Sequence, residues 1–287
     1  MRDWKQIVWI ASYPKSGNTW VRCFLDAYFL GEVDINDLLC SVSDDNGVRA
    51  ALGGDSHTDI MDEPVEIVMM TKQMALLRLI DAYLQTDVKG IPLFVKTHNA
   101  NVIANGVELL PERLTKATIH IVRDPRHVLP SFANHTGADL DSALESMTDV
   151  YRVLDGRKQR KIPDMLSSWG KHLSSFTGSD MHNVLTVRYE DMIDDPVHSF
   201  SRILEHSGIN PDASRVESAL ALVELGKLKA QEEKEGFGEQ SHKARGVFFG
   251  GEREKIQPRH IYRLERRFKT QMRSVGYLPK KSKLRAA

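Results

Sequence analysis

Residues 7–22, IVWIASYPKSGNTWVR, constrain the fold more than any other stretch of the chain. Ile7-Val8-Trp9-Ile10 is an apolar, β-branched run that reads as a buried strand. Residues 13–19 form a turn-prone segment that carries one cation and several polar side chains. From Trp20 to Leu30 the character is helical, and Gly31 is a natural stop. Strand, small-residue loop and helix in that order aim free backbone amides and the positive end of a helix dipole at an anion. Lys15 would add a point charge, and Ser16 and Thr19 would add hydroxyl donors. The lysine precedes the glycine, so the spacing is not that of a Walker phosphate loop. On these residues alone two readings stand: a loop that holds a phosphate-like anion, or an ordinary strand–helix turn with an exposed lysine.

Downstream, strands and helices alternate. Residues 32–63 are rich in Asp, Gly, Asn and Ser and read as an irregular excursion with one short helix near residues 35–39. Residues 64–85 read as a helix whose apolar face is Ile67, Met70, Met74, Leu77 and Ile80. Residues 91–95 form a short strand with Lys96-Thr97-His98 at its end. Sites in open α/β sheets gather at the carboxyl ends of strands, so His98 holds a chemical position, although a lone histidine there is as readily structural. Residues 117–122 form the next strand, followed by Arg123, an Asp124 N-cap and a helix from Pro125 to His135. Arg123 and Ser131 could reach one anion at the mouth of that helix; alternatively Arg123 pairs with Asp124 or another carboxylate. Two helices are expected over 139–156 and 162–177, with Tyr151 and Met165 among their apolar residues. A fourth strand over 183–188 leads into Tyr189. Helices follow from Pro196 to Gly208, over 211–226 and over 258–275, with a glycine-bearing loop over 227–258 between the last two.

This order predicts an α/β fold, a central parallel sheet flanked by helices, with a phosphate-loop-like turn after the first strand. The 287 residues are read as a single domain, with 32–63 and 227–258 as loop excursions. A formal net charge of +0 gives no reason to expect nucleic-acid binding, so any anion site must come from local cations. No run of about 18 apolar residues exists to span a membrane, and the N-terminal residues do not read as a signal peptide. Cys23 and Cys40 lack metal-ligand spacing, and a reducing, cytoplasmic compartment is expected.

YPKSGNTW resembles the YPKSGTTW segment of sulfotransferases that use 3′-phosphoadenosine-5′-phosphosulfate (PAPS), with Asn18 in place of a threonine. Three further segments resemble that family in its own order: Lys96-Thr97-His98, IHIVRDPRHVLPSF over residues 119–132, and RYEDMIDDP from Arg188. The resemblance implies sulfuryl transfer from PAPS, with His98 as general base and Lys15 and Lys96 at the leaving phosphate and sulfuryl oxygens. It implies that Ser16, Gly17, Asn18 and Thr19 hold the 5′-phosphate through backbone amides and hydroxyls, and that Trp20 and Tyr189 contact the adenine. Arg123 and Ser131 would hold the 3′-phosphate, joined by Arg245 and Gly246, the best match to the family's late Arg-Lys-Gly. The family's Gly-Asp-Trp-Lys is absent, and Gly250-Gly251-Glu252-Arg253 is a poor substitute. The scheme needs no metal. The acceptor is expected to be a small molecule or glycan bearing a hydroxyl or amine. Its pocket would draw on the unmatched loops, where Asp44, Asp45, Asp55, His57, Asp59, Asn101, His135 and Asp139 hint at a polar or cationic acceptor. The alternatives are a Mg-NTP-dependent kinase, for which the lysine after the glycine is missing, and a non-catalytic nucleotide-binding protein on the same fold.

Overall fold

The computed structural model describes residues 3–38, 65–85, 91–104, 106–154, 163–178, 183–241, 243–244, 248–249 and 253–279. Strand β1 (Ile7–Ser12) is wholly buried, and its two faces feed two different cores. Val8 and Ile10 pack with helix α1 (Asn18–Leu30), while Ile7, Trp9 and Ala11 pack beneath helix α2 (Val65–Gln85). A strand covered on both faces reads as a continuous apolar run rather than an alternating one, as IVWIA does. The Trp9 indole N–H is satisfied in that core by Thr115 Oγ1 at 2.8 Å.

Strands β2 (Leu93–Thr97), β5 (Thr115–Val122) and β8 (Val184–Arg188) join β1 in one parallel sheet of order β2-β1-β5-β8. Between β2 and β5 lies a small hairpin, β3 (Ile103–Ala104) and β4 (Val107–Glu108), and one 3-10 turn, Glu112–Leu114. The order reverses direction between β1 and β5, which opens a crevice at their carboxyl ends. Register aligns Ala11 with Thr97 and Ser12 with Ile121, so the loops that carry Lys15, His98 and Arg123 leave the sheet at one edge. The expected α/β class and parallel sheet are what the chain forms.

Helix α3 (Pro125–Thr136) starts as the sequence predicts: Asp124 accepts from Arg126 N and Pro125 occupies the first turn. Several other boundaries differ. The helix expected over 139–156 is α4 (Leu140–Thr148); the chain then turns into β6 (Val153–Leu154), leaving Tyr151 87% exposed. Met165 lies in β7 (Asp164–Met165), and the next helix, α5 (Trp169–Thr177), begins only after Ser168 caps Lys171 N. After α6 (Tyr189–Asp194) and α7 (Pro196–His206), the helix expected over 211–226 is two: α8 (Ala213–Leu222) and α9 (Leu225–Glu235). Thus the first part of the expected 227–258 loop is helical, because Lys-Leu-Lys-Ala-Gln-Glu-Glu is made of strong helix formers and the glycines come later. The final helix breaks at Phe268 into α10 (Pro258–Arg267) and α11 (Lys269–Ser274). Residues 34–37 form a turn, not a helix, closed by Asp37 N donating to Asp34 O; the remainder of the 32–63 excursion is mostly outside the described residues. Among the described residues of α2 the buried apolar ones are Ala75, Leu76 and Ile80, whereas Ile67, Met70 and Met74 are exposed. The run MALLRLI is apolar around most of its circumference, so spacing alone does not select the face that meets the sheet.

Candidate active site

The loop after β1 is shaped by two left-handed residues, Lys15 (φ 68) and Gly17 (φ 107). Gly17 is required twice over: its φ is costly for any side chain, and a Cβ there would stand 2.5 Å from Tyr189 Cδ2. Gly17 also N-caps α1 without a side-chain cap; the Trp20 amide turns back to Gly17 O at 3.1 Å, and the amides of Asn18 and Thr19 remain for an outside acceptor. Asn18 Nδ2 donates to Ile10 O at 2.9 Å and to Ser12 Oγ at 3.3 Å, which pins the loop to the strand. Asn18 therefore serves the loop with its side chain and has only its backbone N–H to offer an anion. Ser16 Oγ and Asn18 Oδ1 are buried without a hydrogen-bond partner. Gly17→Ala should cost about 1–3 kcal/mol of stability through strain and the clash with Tyr189; a urea unfolding midpoint equal to wild type would contradict this packing.

This loop opens onto a cavity of about 300 Å³ lined by Lys15, Lys96, His98, Arg123, Ser131 and Arg253, among others. Burial, then Arg253 and Arg123, lowers the Lys15 ammonium to about 7. Burial and Arg123 likewise lower Arg253. Like charges that depress one another in a cleft are poised for an anion. Arg123 lies over the Tyr189 ring, 4.2 Å from its centroid, and its Nη1 donates to Lys15 O at 3.2 Å. Its neighbour Asp124 is engaged by Arg126, with Nη2 to Oδ2 at 2.5 Å. The pairing of Arg123 with Asp124 that the sequence left open is not formed. Ser131 and His135, one turn apart on α3, line the same cavity.

At the end of β2, His98 Nδ1 donates to Ser12 O at 2.8 Å, since a carbonyl only accepts. This fixes the neutral tautomer and leaves Nε2 as the lone-pair nitrogen. From behind, His172 Nε2 donates to His98 O at 3.3 Å. Burial first, and the Lys96 cation second, lower His98 to about 3, so the imidazole is neutral at working pH. Lys96 Nζ sits 3.0 Å from Glu239 Oε2.

The cavity thus brings together Lys15, Gly17, Asn18, Thr19, Trp20, Lys96, His98, Arg123, Ser131 and Tyr189. Trp20 is held by its indole N–H donating to Val223 O at 3.2 Å, edge-on to Tyr189. Ser16 is buried beneath the loop. Arg245 and Gly246 lie outside the described residues, as do Asp44, Asp45, Asp55, His57 and Asp59. Asp139 is used as the N-cap of α4, accepting from Ser142 N at 2.9 Å. Asn101 N donates to Ser175 Oγ. Four residues that line the cavity were not among the nucleotide-site residues expected from the sequence. Arg253 comes from the stretch that lacks the family pattern. His135 was weighed only for the acceptor, although its spacing of four from Ser131 signals one helix face. Phe248 stacks on Lys15, with Nζ 3.3 Å from the ring centroid, and is held by Glu232, which accepts from the amides of Phe248 and Phe249. Glu239 had no local signal. Among the described residues, no three His, Cys, Asp or Glu side chains gather as a metal site.

Residues 5–276 match the sulfotransferase domain family. This chain belongs to the sulfotransferase family. Solved structures agree on the fold of this sulfotransferase. A retinol dehydratase in complex with androsterone and the inactive cofactor PAP is similar with a TM-score of 0.58 and 16% identity, over 95% of this chain and 81% of that one. A mouse sulfotransferase complexed with PAP is similar with a TM-score of 0.55 and 16% identity, over 95% and 86% of the two chains. No curated protein matches the sulfotransferase chain by sequence. Among its described residues no helix is long and apolar enough to cross a membrane.

Proposed function

We propose that this sulfotransferase acts as one domain, in the cytoplasm, to move a sulfuryl group from PAPS to a hydroxyl or amine of a small-molecule or glycan acceptor. The product would be adenosine 3′,5′-bisphosphate (PAP). The observation that carries the reading is the convergence of Lys15, Lys96, Arg123 and Arg253 on one cavity with His98, whose Nε2 is free to accept a proton. The donors that line the cavity suit a ligand with two anionic ends. The β1–α1 loop, Lys15 and Lys96 suit the phosphosulfate; Arg123, Ser131, His135 and Arg253 suit a 3′-phosphate. The orphaned Ser16 Oγ and the uncapped first turn of α1 support the same fit. Trp20 and Tyr189, with Leu225 and Leu228, offer the apolar walls an adenine needs.

His98 Nε2 takes the proton of the acceptor as the acceptor atom bonds to sulfur and the bond from sulfur to the phosphate oxygen breaks. Lys15 and Lys96 stabilise the charge that develops on the sulfuryl and leaving oxygens. The backbone amides of the loop hold the departing phosphate. Ser12 keeps the imidazole in the tautomer this step requires.

The reading also predicts a proton balance. An anion beside Lys15 favours its charged form, so the value of about 7 must rise on binding. At pH 8, where the nucleotide's phosphates are already ionised, binding of PAP should take up roughly one proton. Calorimetry in buffers of different ionisation enthalpy reads this directly. Lys15→Arg should take up less, because arginine does not titrate there; zero uptake by the wild type would contradict the placement of Lys15. Function itself is tested by a screen of acceptors with PAPS, following formation of PAP. Turnover of ATP with Mg²⁺ and none of PAPS would overturn the proposal.

A further inference from the structure

Glu239 belongs to none of the sequence motifs, yet its carboxylate lines the cavity. It is presented by a turn after α9 that is fixed on both sides. Gly238 N donates to Asn36 Oδ1 at 2.7 Å, Asn36 Nδ2 donates to Gly236 O at 3.2 Å, and Phe237 is buried against Phe248 and Phe249. Arg22, fully buried on α1, grips the carboxylate with both ends: Nη1 to Oε1 at 2.8 Å and Nη2 to Oε2 at 2.6 Å. Arg22 Nη2 also donates to Thr19 Oγ1 at 3.4 Å. Lys96 Nζ then donates to Glu239 Oε2 at 3.0 Å. A continuous chain, Thr19–Arg22–Glu239–Lys96, runs from the anion loop of β1 to the end of β2.

A buried guanidinium without a counter-ion is strongly destabilising, so Arg22 keeps Glu239 in place. Lysine, by contrast, is a point charge on a flexible stem and can shed its proton when buried. Glu239 engages one of its three donors and leaves the others for a ligand. Burial pushes Lys96 toward its neutral form; Glu239 opposes this, and Arg22 works with burial. Among the described residues, the other titratable groups around Lys96 are Lys15 on the β1–α1 loop, the neutral His98 on the same strand end and Asp164 on β7. Asp164 acts in the same direction as Glu239, but it is also bonded to Asn99 Nδ2 at 3.0 Å. Without Glu239, Arg22 and Lys96 face each other with no anion between them, and only the lysine can yield.

We propose that Glu239, anchored by Arg22, is a positioning residue that keeps Lys96 charged and aimed at the sulfuryl end of the site. The word "sulfuryl" rests on the function proposed above; the charge relation between Glu239 and Lys96 does not. The test is competitive labelling of lysines with acetic anhydride across pH, read by mass spectrometry on the folded protein. In Glu239→Gln the labelling midpoint of Lys96 should fall by about one pH unit or more, as expected for losing a carboxylate at this range. The double variant Arg22→Met with Glu239→Gln removes both buried charges and guards against misfolding. Its Lys96 midpoint should also lie below that of the wild type. A wild-type midpoint in a folded form of either variant overturns the proposal. Failure of the PAPS reading shows up separately, as absence of PAP binding by the wild-type protein.

Discussion

Replacing His98 with alanine is expected to lower turnover of PAPS by about 10²–10⁴-fold while leaving affinity for PAP close to that of the wild type. The split follows from geometry. His98 makes its ring hydrogen bonds through Nδ1 to Ser12, and in the proposed function its remaining nitrogen is the group for the acceptor proton. The cations that suit the nucleotide, Lys15, Arg123 and Arg253, do not depend on it. Single-turnover formation of PAP measures the first quantity and calorimetry the second. Unimpaired turnover would remove His98 from the chemistry. A matching loss of PAP affinity would make His98 a structural residue of the loop, acting through Ser12.

Arg123→Ala should have the opposite signature. Arg123 stacks on Tyr189 and ties the backbone of Lys15, so truncation removes the proposed phosphate donor and slackens the loop together. Loss of a buried charge-assisted contact of this kind raises Kd by roughly 30- to 1000-fold, about 2–4 kcal/mol. The loss should be larger for PAP than for adenosine 5′-monophosphate, which lacks the 3′-phosphate. Equal losses for the two nucleotides would mean that Arg123 serves the loop and not the 3′-phosphate.

The sheet and the anion loop were legible because both depend on short-range sequence. Each of the four strands is an apolar run closed by polar residues, and Gly31, Asp124 and Pro125 mark helix ends by their backbone preferences. Helix limits were legible only where a cap spoke clearly. Apolar residues continue past Thr148, so Val150 and Tyr151 extend the periodic pattern after the helix has ended. Of the residues that line the cavity, those adjacent to a strand end were named from the sequence, whereas partners brought in from afar were not. Glu239 lies 217 residues from Arg22, and nothing near either one announces the pair. Arg253 reaches Arg123 from a stretch whose composition reads as loop. Asn18 in place of threonine also gains a physical account: only an amide donor spans to both Ile10 O and Ser12 Oγ.

The central claim is that the cavity is built for a nucleotide with a 3′-phosphate as well as a 5′-anion. Side-by-side calorimetric titration of the wild-type protein with PAP, adenosine 5′-monophosphate and ATP with Mg²⁺ tests it. PAP should bind without metal and on the order of 100-fold more tightly than adenosine 5′-monophosphate, a difference of about 2.7 kcal/mol. PAP binding no tighter than adenosine 5′-monophosphate, or weaker than ATP with Mg²⁺, would contradict it.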